Sequence, residues 1–228
     1  MPRISRRRFL QLAGSGLLVA QSPYLLAQPT KKKLGIALLG LGNYSTNLLA
    51  PALQHTNYCE LRGIITGTES KIPKWQRQHG IKESNVYTYR TMDDIANNDD
   101  IDVIYVVTPT GTHKDFAVKA ANTGKHVWCE KPMAMDSEEC QAIIDACTKN
   151  NVTLSIGYRM QHEPNTRTFH QYIDTKPYGE ITAVSSFAGY SGQGRSPDNW
   201  RMQKHMGGGA LYDMGVYAIN GPRFLTGR

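Results

Sequence analysis

The chain has 228 residues, 40% of them hydrophobic and 20% charged, a composition typical of a globular protein with one or two domains and a substantial core. The formal net charge is +7, but Arg3, Arg6, Arg7 and Arg8 supply four of these charges within the first eight residues. The rest of the chain carries 22 basic and 19 acidic side chains, so its charge does not indicate a nucleic-acid-binding protein.

The N-terminal segment is typical of an export signal. Ser5-Arg6-Arg7-Arg8-Phe9-Leu10 is a twin-arginine pattern, and a partly apolar stretch follows as far as Ala27. That stretch is short and polar for a membrane span, and an uncleaved amphipathic anchor is the alternative. We therefore expect a signal peptide over residues 1–27, a linker over 28–33, recognition by the twin-arginine export machinery and a periplasmic location.

Residues 34–157 alternate between apolar runs and helical patterns. Such repeated βα units predict an α/β fold, a doubly wound parallel sheet of the Rossmann type. Strands are expected at 34–39, 60–66, 86–87, 102–108, 127–129 and 152–157. Helices are expected after Gly42 to about 54, and at 74–79, 92–97, 114–123 and about 137–149, the last opened by a capping box at Asp136.

The pattern changes after Gly157. A helix is expected at 165–175, a longer strand at 180–190, where apolar residues alternate, and a loop rich in glycine and proline at 191–201. Another helix is expected from about 210 to 225. Residues 158–228 are thus predicted to form a separate α+β region.

The glycine pair Gly40-x-Gly42 follows the first strand and precedes a helix, which is typical of a dinucleotide-binding turn. The first glycine permits the tight turn, and the second lets backbone N–H groups approach a pyrophosphate. Ser45 occupies the place of the usual third glycine and is small enough for close packing. An ordinary βα turn is the alternative, but a position after the first of several βα units favours the cofactor.

The end of the second strand bears on the choice of cofactor. Thr66 stands where an acidic residue would hold the ribose 2′-hydroxyl of NAD, and Lys71 follows five residues later. A hydroxyl and a cation suit a 2′-phosphate, so NADP is expected in preference to NAD. Glu69 lies nearby and favours NAD, and a solvated loop lysine is the alternative interpretation of Lys71.

Two polar groups at predicted element ends have the chemistry of a catalytic site. Glu130-Lys131-Pro132 leaves the strand at 127–129, and the carboxyl ends of such strands are where ligands bind. A lysine there can hold a substrate oxygen and move a proton; a solvated lysine is the alternative. Asp213 and Tyr217 lie four residues apart on a predicted helix and so share a face, although a surface aspartate and a core tyrosine would show the same spacing.

Residues 34–225 resemble the Gfo/Idh/MocA oxidoreductase family. The order and spacing of five motifs carry the resemblance. They are Gly40-Leu41-Gly42-Asn43-Tyr44, Cys129-Glu130-Lys131-Pro132, Gly157-Tyr158-Arg159, Trp200-Arg201, and the run from Gly207 to Tyr217. Much of the family has histidine where this chain has Tyr217, which makes the chain most similar to the glucose-fructose oxidoreductase subgroup.

The resemblance implies NADP-dependent hydride transfer to or from a sugar or polyol, with Lys131, Tyr217 and Asp213 as the catalytic residues. Lys131 is expected near the nicotinamide ribose and the substrate hydroxyl. A free tyrosine has a pKa of about 10. We expect the neighbouring Lys131 cation to lower the pKa of Tyr217, so that the pair can exchange a proton with the sugar O1.

The histidines and the four cysteines lack the spacing of metal ligands, so no metal site is expected. The resemblance also implies a set of cofactor contacts. The expected cofactor-binding residues are Gly40, Leu41, Gly42, Asn43, Tyr44, Thr66, Lys71, Tyr89, Thr108, Pro109, His113, Glu130, Lys131, Arg159, Trp200 and Arg201.

Members of the family usually continue into a large antiparallel sheet that walls the substrate pocket and mediates homo-oligomer assembly. Only the strand at 180–190 is expected here, so the resemblance implies a C-terminally truncated chain with an incomplete second domain. The alternatives are a dehydrogenase or glycosidase of the same family acting on another cyclic polyol, or a catalytically inert nucleotide-binding fragment.

Overall fold

The computed structural model describes residues 33–227, so the expected signal peptide at 1–27 lies outside the described residues, as does nearly all of the expected linker. Within the described range, six strands form one parallel sheet in the order β3-β2-β1-β4-β5-β6. The strands are β1 (Leu34–Leu39), β2 (Cys59–Thr66), β3 (Val86–Thr88), β4 (Val103–Val106), β5 (His126–Cys129) and β6 (Leu154–Ile156). The predicted doubly wound sheet is confirmed.

Helices cover both faces of this sheet. The α-helices are α1 (Ala50–Gln54), α2 (Ile72–His79), α3 (His113–Asn122), α4 (Ser137–Lys149), α5 (Pro164–Thr175) and α6 (Val216–Thr226). Short π-helical segments at Ser45–Leu49 and Leu211–Gly215 run directly into α1 and α6. Within residues 33–227, no helix combines the length and hydropathy needed to cross a bilayer.

The central strand β1 is a continuous apolar run because both of its faces are buried. Ile36 and Leu38 point into a core cluster that contains residues of α1 and α2. Ala37 and Leu39 point into the opposite cluster, built with residues of α3 and α4. Each fully buried leucine or isoleucine stabilises the fold by about 1.5–3 kcal/mol, so the two clusters fix which helices lie on which side.

Strand register brings the polar residues that follow each strand to one edge of the sheet. Leu39 pairs with Ile65 on one side and with Val106 on the other, and Val106 pairs with Cys129. The chain leaves β1, β2, β4 and β5 at the same level as a result. Because the order along the chain reverses between β1 and β4, this edge opens into the crevice where ligands bind in doubly wound sheets.

The strand expected at 180–190 is not formed. This segment has no regular secondary structure, and Phe187 is 93% exposed. A strand needs a partner that accepts and donates its backbone hydrogen bonds. All six strands within residues 33–227 pair inside the parallel sheet, and none lies beside this segment. The alternating apolar pattern alone therefore gave the wrong prediction.

His79 makes the stability of the fold dependent on pH. Its two ring nitrogens are buried without a hydrogen-bond partner within the described residues, and its ring lies 4.9 Å from that of Trp75. Burial lowers the pKa of His79. The unfolded chain, with a histidine pKa of about 6.5, therefore takes up a proton first, so the contribution to stability is complete above that pH and decreases as the pH falls below it.

We predict that His79→Phe flattens this pH dependence. The free energy of unfolding of the wild-type protein should decrease more steeply below pH 6.5 than that of the variant, because the folded state resists protonation of His79. The variant should lose that component and keep the part contributed by His113, which is also buried. Urea unfolding between pH 5 and 8 measures the difference, with the exposed His55→Phe as the control. Parallel curves for wild type and His79→Phe would contradict the assignment.

Candidate active and cofactor site

The turn after β1 has the geometry of a dinucleotide cradle. Gly40 has φ +97°, and a Cβ there would lie 2.7 Å from the carbonyl oxygen of Val107, so only glycine fits. A Cβ at Gly42 would meet nothing within 4 Å, so this position borders open space that a phosphate group can occupy. Ser45 is fully buried, and its Oγ donates a hydrogen bond to the carbonyl oxygen of Gly40 at 2.5 Å. The serine in the third-glycine position thus holds the turn in shape.

Lys71 and Thr66 lie beside this turn. Lys71 Nζ donates to the carbonyl oxygen of Leu41 at 2.9 Å, which holds the ammonium group next to the glycine turn. Thr66 is only 2% exposed, and its Oγ1 accepts a hydrogen bond from the backbone N–H of Thr68 at 3.0 Å. Thr66 therefore shapes the end of β2, while Lys71 provides the positive charge there.

Tyr89 closes the other side of the same region. Its ring lies so close to Gly67 that a Cβ there would be 2.6 Å from Tyr89 Cε2, and its centroid is 4.6 Å from that of Phe116. The next residue, Arg90, is 88% exposed and lies 3.7 Å from Glu69. Sequence reasoning did not select Arg90; its position directly after Tyr89, just beyond the end of β3, was the available signal.

His113 has a different place from the one expected. Its ring is 1% exposed, with Nδ1 2.9 Å from the carbonyl oxygen of Pro132 and Nε2 2.8 Å from that of Thr108. Burial lowers its pKa, although both carbonyl oxygens favour the protonated ring. The His113 side chain braces the Thr108–Pro109 loop against the end of the Glu130-Lys131-Pro132 motif and presents no ring nitrogen to a cofactor.

Glu130 is a buried carboxyl group at the exit of β5. Its Oε1 accepts a hydrogen bond from the Tyr105 hydroxyl at 2.5 Å, and its Oε2 accepts one from the Lys131 backbone N–H at 3.3 Å. Gly157 leaves room for it, since a Cβ there would lie 2.7 Å from Glu130 Oε1. Burial raises the pKa of Glu130, and these hydrogen bonds oppose the shift only in part. Burial and the nearby Glu130 also raise the pKa of Tyr44 to about 12.

The side chain of Lys131 is 12% exposed and points at residues that lie more than 80 positions later in the chain. Its Nζ donates to the backbone carbonyl oxygen of Asp213 at 2.5 Å and lies 3.8 Å from Asp213 Oδ1. The same nitrogen is 4.6 Å from the centroid of the Tyr217 ring. Burial lowers the pKa of Lys131, while Asp213 and Glu130 oppose the shift. The structure thus brings together the three residues expected to be catalytic.

Two cations lie near Tyr217, Lys131 and Arg159. The ammonium group of Lys131 lies over the tyrosine ring, 4.6 Å from its centroid, in a cation–π arrangement. Burial raises the pKa of Tyr217, and the cation that opposes this shift, by its charge and by a hydrogen bond, is Arg159. Arg159, expected only as a cofactor contact, is therefore the group that favours the phenolate.

Asp213 is the centre of a cluster of cations. Its Oδ2 accepts a short hydrogen bond from the Tyr190 hydroxyl and lies 3.2 Å from Arg201 Nε and 3.6 Å from Arg195 Nη1. Burial opposes ionisation, but the Tyr190 hydrogen bond and the charges of Arg201, Lys131 and Arg195 outweigh it and lower the pKa of Asp213. Sequence reasoning missed Tyr190 and Arg195, because nothing in the loop at 191–201 indicated contact with the last helix.

The expected pair Trp200-Arg201 packs against the triple-glycine segment. The Arg201 guanidinium lies 4.4 Å from the centroid of the Trp200 ring, and Asn199 Oδ1 accepts a hydrogen bond from the Arg201 backbone N–H at 3.0 Å. A Cβ at Gly208 would lie 2.6 Å from the carbonyl oxygen of Trp200. At this close approach, the backbone N–H of Gly209 donates a hydrogen bond to the carbonyl oxygen of Arg201. The turn that this bond closes leads directly into the segment that contains Asp213.

Comparisons with known proteins identify the family of the chain. A family model described as "Oxidoreductase family, NAD-binding Rossmann fold" matches residues 34–158, and a model of the GFO/IDH/MocA C-terminal domain matches residues 166–228. D-xylose 1-dehydrogenase [NADP(+)] of Haloarcula marismortui is 30% identical over 199 residues, 86% of this chain. Levoglucosan dehydrogenase of Pseudarthrobacter phenanthrenivorans is 34% identical over 139 residues, 58% of this chain.

Among solved structures, the aldose-aldose oxidoreductase of Caulobacter crescentus, complexed with glycerol, is 38% identical with a TM-score of 0.83. The alignment covers 86% of this chain and 58% of that one. The chain likewise spans 55% of the Haloarcula enzyme and 35% of the levoglucosan dehydrogenase. It therefore spans little more than half the length of these relatives, or less.

We predict that Tyr105→Phe destabilises the fold through Glu130. Removing the phenol oxygen leaves Glu130 Oε1 buried without its donor, which should lower the free energy of unfolding by about 1–3 kcal/mol. Urea unfolding at neutral pH measures the change. Tyr178→Phe is the matched control, because Tyr178 is 87% exposed and should lose little. Equal stabilities of the two variants would show that the Tyr105–Glu130 hydrogen bond contributes nothing.

Proposed function

The chain belongs to the Gfo/Idh/MocA family of oxidoreductases, and we propose that it transfers a hydride between NADP and a sugar or polyol. The observation that carries the proposal is the meeting of Lys131, Asp213 and Tyr217 beside the edge of the sheet where the glycine turn lies. The names of the D-xylose and levoglucosan dehydrogenases support a carbohydrate substrate.

Each of these side chains has a separate role in the proposed hydride transfer. The nicotinamide supplies the hydride acceptor or donor when the nucleotide is bound. Lys131 directs its ammonium group at the reacting oxygen of the sugar, and Asp213 keeps that amine oriented and charged. During oxidation, the substrate hydroxyl gives its proton to Tyr217 Oη while its carbon loses a hydride. During reduction, Tyr217 Oη returns a proton to the carbonyl oxygen.

Arg159 adjusts the proton affinity of Tyr217 in this scheme. A buried phenol is a poor base near neutral pH, because burial favours its uncharged form. The charge and hydrogen bond of Arg159 favour the phenolate and so bring the tyrosine closer to the range in which it can exchange a proton. Lys131 is thereby left to act on the substrate oxygen.

The preference for NADP is supported by the positive charge beside the glycine turn. Lys71 is held at Leu41, and Arg90 lies across from it on the neighbouring strand end, paired with Glu69. A 2′-phosphate would offer both cations a stronger partner than the exposed Glu69 carboxylate. The Haloarcula relative is named for NADP(+).

A second candidate is a glucose-fructose-oxidoreductase-like reaction, in which one sugar is oxidised and another reduced at the same nucleotide. Tyr217 and the similarity to the aldose-aldose oxidoreductase favour it. Turnover of glucose with fructose in the absence of added nucleotide would distinguish it from an ordinary dehydrogenase. A glycosidase or an inert nucleotide-binding fragment would show no hydride transfer in either assay.

We predict that the protein binds NADPH more tightly than NADH and that Lys71→Gln removes the difference. Loss of one charged hydrogen bond to the 2′-phosphate should lower the affinity for NADPH about tenfold and leave the affinity for NADH unchanged. Tryptophan fluorescence titrations measure both affinities. Lys74→Gln, an exposed change on α2, is the control. No response to either nucleotide would contradict the proposed function, and a preference for NADH would contradict the NADP assignment alone.

We predict that Arg159→Met raises the pKa of Tyr217 and moves the ascending limb of the pH profile of sugar oxidation to higher pH. The sign follows because the lost cation favoured the phenolate. The difference in phenolate absorbance between wild type and Tyr217→Phe follows this single tyrosine during a pH titration, without requiring turnover. Arg159→Lys keeps the positive charge, so the pKa of Tyr217 in this variant should lie between the values in the wild type and in Arg159→Met. An unshifted titration in Arg159→Met would exclude Arg159 from this role.

A further inference from the structure

A cleft of about 400 Å³ adjoins Asp213 on the side away from Lys131. Three segments form it: residues 189–195, residues 201–204, and the turn at 208–214. The charged side chains that line it are Arg195, Arg201, Lys204 and Asp213. The sequence motifs account for Arg201 and Asp213 only, and the hydride-transfer scheme uses neither Arg195 nor Lys204.

The cleft carries more positive charge than its own carboxylate can balance. Arg195 and Arg201 share Asp213 Oδ2 as their partner, at 3.6 and 3.2 Å. Lys204 is exposed and forms no ion pair within residues 33–227. With Asp213 ionised, the lining has three cations and one anion, a net charge of +2. Such an excess concentrated in a cleft attracts an anionic ligand.

The two arginines are held in place before any ligand arrives. The Arg195 guanidinium lies 4.5 Å from the centroid of the Tyr190 ring, and the Tyr190 hydroxyl donates to Asp213. The Arg201 guanidinium is stacked on Trp200. A guanidinium group has five N–H donors in a planar fork, and the contacts with Asp213 use only some of them. The remaining donors suit the paired oxygens of a carboxylate or phosphate.

The cleft is also connected to the proposed reaction centre. Lys131 Nζ lies 3.8 Å from Asp213 Oδ1, and Arg195 Nη1 lies 3.6 Å from Asp213 Oδ2. Both cations thus border the same carboxylate, one at each oxygen. The glycine turn, where a dinucleotide pyrophosphate would bind, contributes no residue to the lining of the cleft.

We propose that the cleft binds an anionic group of the sugar substrate, a carboxylate or a phosphate remote from the reacting carbon, through Arg195, Arg201 and Lys204. This inference rests on the proposed function and narrows its substrate class from sugars in general to acidic sugars. Asp213 then serves two groups, the reacting amine of Lys131 on one side and the anion-binding arginines on the other.

The test compares ligands that differ only in charge. With NADPH at saturating concentration, so that the sugar cannot be oxidised, the affinities of glucose, glucuronate and glucose 6-phosphate are measured by calorimetry on the full chain. At least one acidic sugar should bind about tenfold more tightly than glucose, and its affinity should fall as salt is added. The carboxylate and phosphate arms show which anion the cleft takes.

The variants Arg195→Gln and Lys204→Gln assign the effect to the cleft. Each variant should lower the affinity for the acidic sugar about tenfold and leave the affinity for NADPH unchanged. Arg167→Gln on α5 removes the same charge from an exposed position outside the cleft and should change neither affinity. Retained preference for the acidic sugar in both cleft variants would overturn the assignment.

Two other outcomes would also overturn the inference, and they separate it from the proposed function. Binding of NADPH together with equal affinity for glucose and both acids would refute the anion site and leave hydride transfer intact. A lower affinity for NADPH in Arg195→Gln would show that these cations bind the cofactor and not the sugar. Absence of binding by NADPH and by every sugar would refute the proposed function as well.

Discussion

The buried amine of Lys131 joins the two parts of this chain. It leaves the sheet at β5 and donates to the backbone carbonyl oxygen of Asp213, 82 residues later. Taking an ammonium group out of water is costly unless opposite charge and acceptors surround it. Asp213 supplies both, with its carbonyl oxygen and its nearby carboxylate. The approach of the last helix to the sheet edge therefore supplies the acceptors that this cation requires.

Asp213, in turn, has three cations around its single carboxylate, more than it can neutralise. Lys131 lies at one oxygen, and Arg195 and Arg201 lie at the other. The consequence is a lowered pKa at Asp213 and an excess of positive charge around it. The amine expected to act on the substrate and the cluster expected to hold an anion are thus electrostatically linked through one side chain.

The elements of the sheet could be predicted well from the sequence, since the apolar runs and their glycine boundaries depend on local burial. The strand β1 matched its expected range, 34–39, residue for residue. The segment 180–190 could not be predicted in the same way. Its alternation is a genuine strand pattern, but a strand exists only if another backbone lies beside it, and that condition is not written in the segment itself.

The site shows the same division. The family resemblance indicated Lys131, Asp213 and Tyr217 as a group and implied that the lysine cation lowers the pKa of the tyrosine. A motif specifies which residues are near one another and not the direction from which a charge approaches. Burial raises the pKa of Tyr217 and Arg159 opposes the shift, so the proton affinity of this tyrosine depends on tertiary packing.

By itself, the sequence determined the doubly wound sheet and the glycine turn, because these follow from hydrophobic periodicity and from residue types at strand ends. Only the tertiary structure decided which cation acts on which group. It placed His113 as a brace, Arg159 at the phenol, and Tyr190 and Arg195 at Asp213. The physical reason is that electrostatic effects depend on the distance between charges and on their burial. Both are set by the packing of residues that lie far apart in the chain.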